Sequence, residues 1–114
     1  MSQDAPLTED QLAALLQELP SWEIRDGWLR RKFTTAGWPH TLLLVNAIGY
    51  VAEAGWHHPD LEVGYARVVV KLKTHSAQAL TQKDAALARK IEEVALWLPA
   101  KDSALEGFPK NWTR

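Results

Sequence analysis

Asp26-Gly27, set between Trp22-Glu-Ile-Arg25 and Trp28-Leu-Arg-Arg-Lys-Phe33, constrains the fold of this chain more than any other pair of residues. Both residue types tolerate positive φ, the backbone that a two-residue hairpin turn requires, so the flanking segments are expected to fold back on each other. Such a loop sets Ile24 opposite Leu29 on a core face and Glu23 opposite Arg30 outside. A second stretch of period two begins near residue 61. There Leu61, Val63 and Tyr65 share one face of a short strand, and Val68, Val70, Leu72 and Thr74 share one face of a longer one. Lys71 and Lys73 fall on the opposite face, and the turn around Gly64 to Arg67 is weakly marked.

Helical spacing occupies the rest. Thr8-Glu-Asp-Gln11 has the form of a capping box, opening a short helix with Leu12, Leu15, Leu16 and Leu19 that Pro20 stops. The longest helix is expected from about Pro39 to Ala54. It carries Leu44, Ile48, Val51 and Ala52 on one face, and Gly55 is its expected stop. Glu53 lies away from that face, in line with Asn46, Gly49 and Tyr50. Thr81-Gln-Lys-Asp84 opens the last helix, with apolar Leu87, Ala88, Ile91, Val94, Ala95 and Leu98, ended by Pro99. Asp84 shares the register of that stripe, so its carboxylate is expected to point inward. The order helix, hairpin, helix, hairpin, helix reads most simply as α+β: one four-stranded antiparallel sheet with three helices on one face. Residues 1–114 are read as one domain, with a core of about 8–99 and a tail from 100 to 114 that holds Phe108 and Trp112.

Composition closes several functional classes. A formal net charge of −1 gives no overall attraction for nucleic acid. The absence of cysteine excludes disulfides, thiolate metal sites and cysteine nucleophiles. No basic and apolar leader pattern opens the chain, and no run approaches the roughly 20 apolar residues of a membrane span. The reading is therefore a cytoplasmic protein with neither a membrane nor a nucleic-acid partner. Arg30-Arg31-Lys32 offers charge to an anionic partner, but these residues alternate faces in a strand, and a solvated face is the simpler reading.

The chemistry concentrates in Glu53-Ala-Gly-Trp-His57-His58-Pro59, with Thr74-His75 and Asp84 further on. Three of the four histidines lie there, and Pro59 restricts the backbone after the adjacent pair. Imidazoles both give and take protons near neutrality. Glu53 stands four residues before His57, a spacing at which a carboxylate can orient an imidazole and favour its charged form. Asp84 has a plain structural role as well, closing the box with Thr81, and the two roles are compatible. A metal site is disfavoured, because neighbouring imidazoles diverge and neither His-x-His nor a helical His-x-x-x-His occurs. Trp28, Trp38, Trp97 and Trp112 read as core, interface or tail anchors, whereas Trp22 and Trp56 lie near enough to the hairpin and histidines to wall a flat ligand.

Glu53, three residues, His57-His58-Pro59, five residues, Tyr65, nine residues, His75, eight residues and Asp84 resembles the signature of the pterin-4a-carbinolamine dehydratases. The likeness runs from about Trp22 to Leu98. It implies an enzyme that removes water from 4a-hydroxytetrahydropterin to give quinonoid dihydropterin, recycling the cofactor of an aromatic amino-acid hydroxylase. It further implies a homodimer or homotetramer that needs no metal or redox cofactor. By the same resemblance His57, His58 and His75 form the catalytic trio, and Glu53, Asp84, Trp22, Thr74 and Pro59 surround the pterin. Relatives of this type also serve without dehydratase activity, as a dimerisation partner for a transcription factor or as a carboxylase assembly factor. One departure is clear: an acidic residue followed by Ala-Gly-Gly is common after the third histidine, where this chain has Ser76-Ala-Gln-Ala79.

Overall fold

In the computed structural model of the chain, which describes residues 4–105 and 112–114, Asp26 and Gly27 take φ of 53° and 81°. Strands β1 (Trp22–Arg25) and β2 (Trp28–Thr34) pair on either side of them, with Ile24 opposite Leu29 and Glu23 opposite Arg30. β3 (Asp60–Gly64) and β4 (Arg67–Leu72) form the second hairpin, closed by Tyr65 and Ala66. β4 also pairs with β2, Leu29 with Leu72 and Phe33 with Val68. The sheet order is β1-β2-β4-β3, antiparallel throughout.

One face of this sheet carries Trp22, Leu29, Phe33, Val68, Val70 and Leu72, all buried. Against it lie α1 (Glu9–Glu18), α2 (Trp38–Gly55) and α3 (Gln82–Ala95), through Leu15, through Leu44, Ile48 and Ala52, and through Leu87, Ala88 and Ile91. Arg31 also points to this side. Buried between β2 and α3, its guanidinium meets both carboxylate oxygens of Glu92, which in turn accepts the indole N–H of Trp22. The solvated face read for the whole Arg30-Arg31-Lys32 run therefore holds for Lys32, while Arg30 is half-buried and Arg31 buried.

Both capping boxes form: Thr8 with Gln11, and Thr81 with Asp84. Three element ends differ from the pattern reading. α2 continues through Gly55, and the left-handed residue is Trp56 at φ 51°. A bulky side chain rarely adopts that backbone. It is held there by its N–H on the Ala52 and Glu53 carbonyls and by the edge of its ring on His58. α3 stops at Ala95, four residues short of Pro99, because its buried stripe ends there; Val94 and Leu98 are exposed. On the edge strand β3 only Leu61 reaches the core, while Val63 and the turn residue Tyr65 stay exposed.

The end of the tail returns to the end of β2. Thr34 and Arg114 exchange backbone hydrogen bonds, Ala36 N–H donates to Trp112, and the Trp112 ring lies 5.4 Å from that of His40. Phe108 lies outside the described residues. No helix among the described residues is long and apolar enough to cross a membrane.

Candidate functional site

Asp60 pairs with Lys71, so the segments bearing His57-His58 and Thr74-His75 leave the sheet at the same end. The N-terminus of α3 meets them there. Asp84, at the third position of that helix, is fully buried, as its register requires. One carboxylate oxygen lies 2.7 Å from His57 Nε2. The other accepts from the Thr74 hydroxyl at 2.7 Å and from Thr81 N–H at 2.9 Å. Thr74 and Thr81 share a further hydroxyl contact of 2.7 Å. A carboxylate out of water is tolerable only with its lone pairs occupied, and here donors from a loop, a helix cap and an imidazole occupy them. The result is a rigid mount that presents the His57 ring, which remains 15% exposed.

The carboxylate that orients His57 is therefore Asp84 and not Glu53. Spacing of four aligns two side chains only while the helix continues. α2 ends at Gly55, and the left-handed turn at Trp56 swings His57 toward α3. Glu53 instead meets His58, Oε1 to Nε2, at 2.9 Å, with both side chains largely exposed.

His75 stands in the loop that follows β4, exposed to solvent, with its ring centroid 5.6 Å from that of Trp28 in a T-shaped contact. That loop folds tightly: Thr74 and Ala79 bridge, and Gln78, which stands where the resemblance leads one to expect the first glycine of Ala-Gly-Gly, takes φ of 53°. The turn persists without the glycine, at the steric cost of a side chain in left-handed backbone. Pro59 leads from His58 into β3 and is partly buried.

The expected residues thus fall into distinct groups. His57, Thr74 and Asp84 are in hydrogen-bonded contact, and His58 and Glu53 form a second contact. His75 follows Thr74 directly, but its ring lies on Trp28 rather than on another imidazole. Trp22 is 3% exposed and bound to Glu92, within the core rather than beside a histidine. A groove of about 550 Å³ between α2 and α3 reaches His57 and is walled by Tyr50, Val51, Ala54, Leu87 and Lys90. Among the described residues no three His, Asp or Glu side chains converge as metal ligands. Pattern reading did not find the Thr81 hydroxyl as a member of the mount, although its capping role was legible. It also did not find the Trp22–Glu92–Arg31 cluster, whose members are far apart in sequence.

The described geometry can hold one imidazole fixed and leave two others open to a ligand. A sequence profile of the family described as pterin 4 alpha carbinolamine dehydratase matches residues 5–94. A protein of Aquifex aeolicus provisionally named a pterin-4-alpha-carbinolamine dehydratase is 43% identical over 88 residues, 77% of this chain and 89% of its own. A Thermomicrobium roseum protein with the same provisional name is 40% identical over 91 residues, 80% of this chain and 98% of its own. Among solved structures, a transcriptional coactivator/pterin dehydratase from Brucella melitensis aligns with a TM-score of 0.76 and 30% identity, over 80% of this chain and 99% of that one. A pterin dehydratase-like protein identified as a RuBisCO assembly factor in the alpha-carboxysome aligns at a TM-score of 0.58. At 20% identity, over 66% of this chain and 89% of that one, it shares the fold alone.

Proposed function

The chain belongs to the pterin 4 alpha carbinolamine dehydratase family, and from that membership we propose that it is a hydro-lyase acting on 4a-hydroxytetrahydropterin. It removes the 4a-hydroxyl as water and releases quinonoid dihydropterin, returning the tetrahydropterin cofactor of an aromatic amino-acid hydroxylase to use. The observation that carries this reading is the mount of Asp84, Thr74 and Thr81 under His57, at the sheet end that also bears His58 and His75. A scaffold has no need to bury a carboxylate in order to aim an imidazole.

Dehydration requires an acid that protonates the departing hydroxyl and a base that takes a ring N–H proton. Each such transfer from a positioned side chain contributes about 10²–10⁴-fold. His58 and His75 carry these steps in the proposal, since their rings are open to a ligand. His57, with Nε2 committed to Asp84, binds and supports. Glu53 orients His58, and Thr74 and Pro59 hold the two segments in place. Trp22 acts from the core as a support of the sheet rather than as a wall against the ring. The chain works as a homodimer or homotetramer, and the exposed Leu42, Leu43 and Tyr50 of α2 are the natural contact face.

A second reading, a non-catalytic dimerisation or protein-assembly factor, is favoured by the exposed Trp97 and Leu98 beyond α3. One assay separates the two. Purified protein mixed with chemically generated 4a-hydroxytetrahydropterin should speed the appearance of quinonoid dihydropterin, followed by absorbance. A folded protein giving the rate of buffer alone leaves only the assembly role.

A further inference from the structure

The face of the sheet turned away from the helices is cationic in its middle, although the whole chain carries −1. Its two central strands present Arg30 and Lys32 from β2, and Arg67 and Lys71 from β4, and no acid. The carboxylates Glu23, Asp60 and Glu62 lie on the flanking strands. Within this face is a hollow of about 620 Å³ lined by Arg25, Arg30, Lys32, Arg67, Glu23 and Glu62, among others. Both carboxylates are already engaged, Glu23 with Arg25 at 3.3 Å and Glu62 with Lys71 at 3.7 Å. Arg30, Lys32 and Arg67 have no carboxylate partner among the described residues.

Two details give the hollow a built character. Arg30 Nε is closed off from solvent yet has no hydrogen-bond acceptor. A buried guanidinium N–H left unmatched is costly, and an oxyanion is its natural complement. Arg67 lies across Gly64, where a Cβ would come within 2.9 Å of its Nε, so the glycine makes room for that guanidinium. Val69, only 7% exposed with no helix above it, gives the hollow an apolar lining under the long cationic side chains.

We propose that this hollow binds a small phosphate-bearing anion, with Arg30 donating from within and Lys32 and Arg67 closing from the rim. Its volume lies in the range of small-molecule sites, which leaves room for an organic body beside the phosphate. The site is separate from the histidines, none of which lines it, so it stands or falls independently of the dehydratase reading.

The test is calorimetric titration of the full chain with four probes: inorganic pyrophosphate, a nucleoside monophosphate, the corresponding nucleoside, and a short single-stranded oligonucleotide. One-to-one binding of a phosphate-bearing probe, weaker when NaCl rises from about 50 to about 300 mM, is the expected result, with no heat from the nucleoside. Preference for the monophosphate over pyrophosphate marks an organic ligand, and the reverse marks an inorganic one. Arg30→Gln should weaken binding at least about tenfold, whereas Lys101→Gln in the exposed segment after α3, an equal change of charge, should stay within about twofold. Circular dichroism checks that Arg30→Gln folds; Lys32→Gln and Arg67→Gln, at exposed positions, carry the same test if it does not. The proposal is overturned if neither phosphate probe saturates, or if Lys101→Gln weakens binding as much as Arg30→Gln. It is equally overturned if only a single-stranded oligonucleotide binds, which would make the face a macromolecular surface.

Discussion

Two histidine–carboxylate pairs stand side by side in the chain and in opposite surroundings. His57 meets Asp84 at 2.7 Å with the carboxylate wholly out of water, while His58 meets Glu53 at 2.9 Å with 51% and 68% of the two side chains exposed. The bond lengths are nearly equal, so geometry alone would rank them together. Burial separates them. Asp84 must satisfy every lone pair internally and therefore ties a strand end, a helix cap and an imidazole into one body. Glu53 competes with water and salt, and can be lost at little cost.

The largest expected effect follows from Asp84→Ala, which strands His57, the Thr74 hydroxyl and Thr81 N–H together. Denaturant unfolding should show a loss of about 3–5 kcal/mol, because several part-buried donors lose their acceptor at once and each such loss costs about 1–3 kcal/mol. Turnover of the carbinolamine should collapse with it. A loss no greater than that of Glu53→Ala would show that burial does not separate the two pairs.

His75→Ala is expected to cut turnover by about 10²–10⁴-fold. Stability should change by less than about 0.5 kcal/mol, because the ring is exposed and makes no hydrogen bond among the described residues. A large fall in melting temperature would instead make His75 a structural partner of Trp28. Glu53→Ala comes next: its stability effect should stay below about 1 kcal/mol and shrink further with added salt, as an exposed pair requires.

The smallest effect tests the exposed limit on a pair without histidine. Hydrogen bonds from Arg89 hold the Glu18 carboxyl below its usual range, against a weaker opposing effect of desolvation. A lowered folded value means that the pair stabilises above the ordinary carboxylate range, and that this contribution disappears as the pH falls through the folded value. Parent and Arg89→Gln should therefore differ slightly at neutral pH and converge in acid, read by melting temperature across a pH series. A gap that widens on acidification would contradict the assignment.

Much of the scaffold was legible because its signals are local. Asp26-Gly27 admits the backbone of one turn, and that turn sets the pairing of Ile24 with Leu29. Both threonine boxes are four-residue patterns, and the inward aim of Asp84 follows from its place in the α3 stripe. The site was legible as a set of residues, but its wiring was not. Spacing joined Glu53 to His57, whereas the left-handed residue at Trp56 gives Glu53 to His58 and sends His57 to Asp84. Nothing in the local pattern marks a tryptophan for that backbone, since glycine is the usual choice. Arg31 and Glu92 escaped for a different reason: a charged residue in a strand reads as solvated until its partner on a distant helix is known.

The amino-acid order by itself determined the elements, their register across the first turn and the chemical kinds present at one end of the sheet. Each of these depends on neighbours within a few positions, where backbone sterics and side-chain periodicity act directly. Tertiary structure alone decided which imidazole the inward carboxylate of Asp84 holds, and that His57, Thr74, Thr81 and Asp84 share one network. Desolvation is the reason, because it belongs to no segment and exists only once helix, strand and loop have closed over the same point.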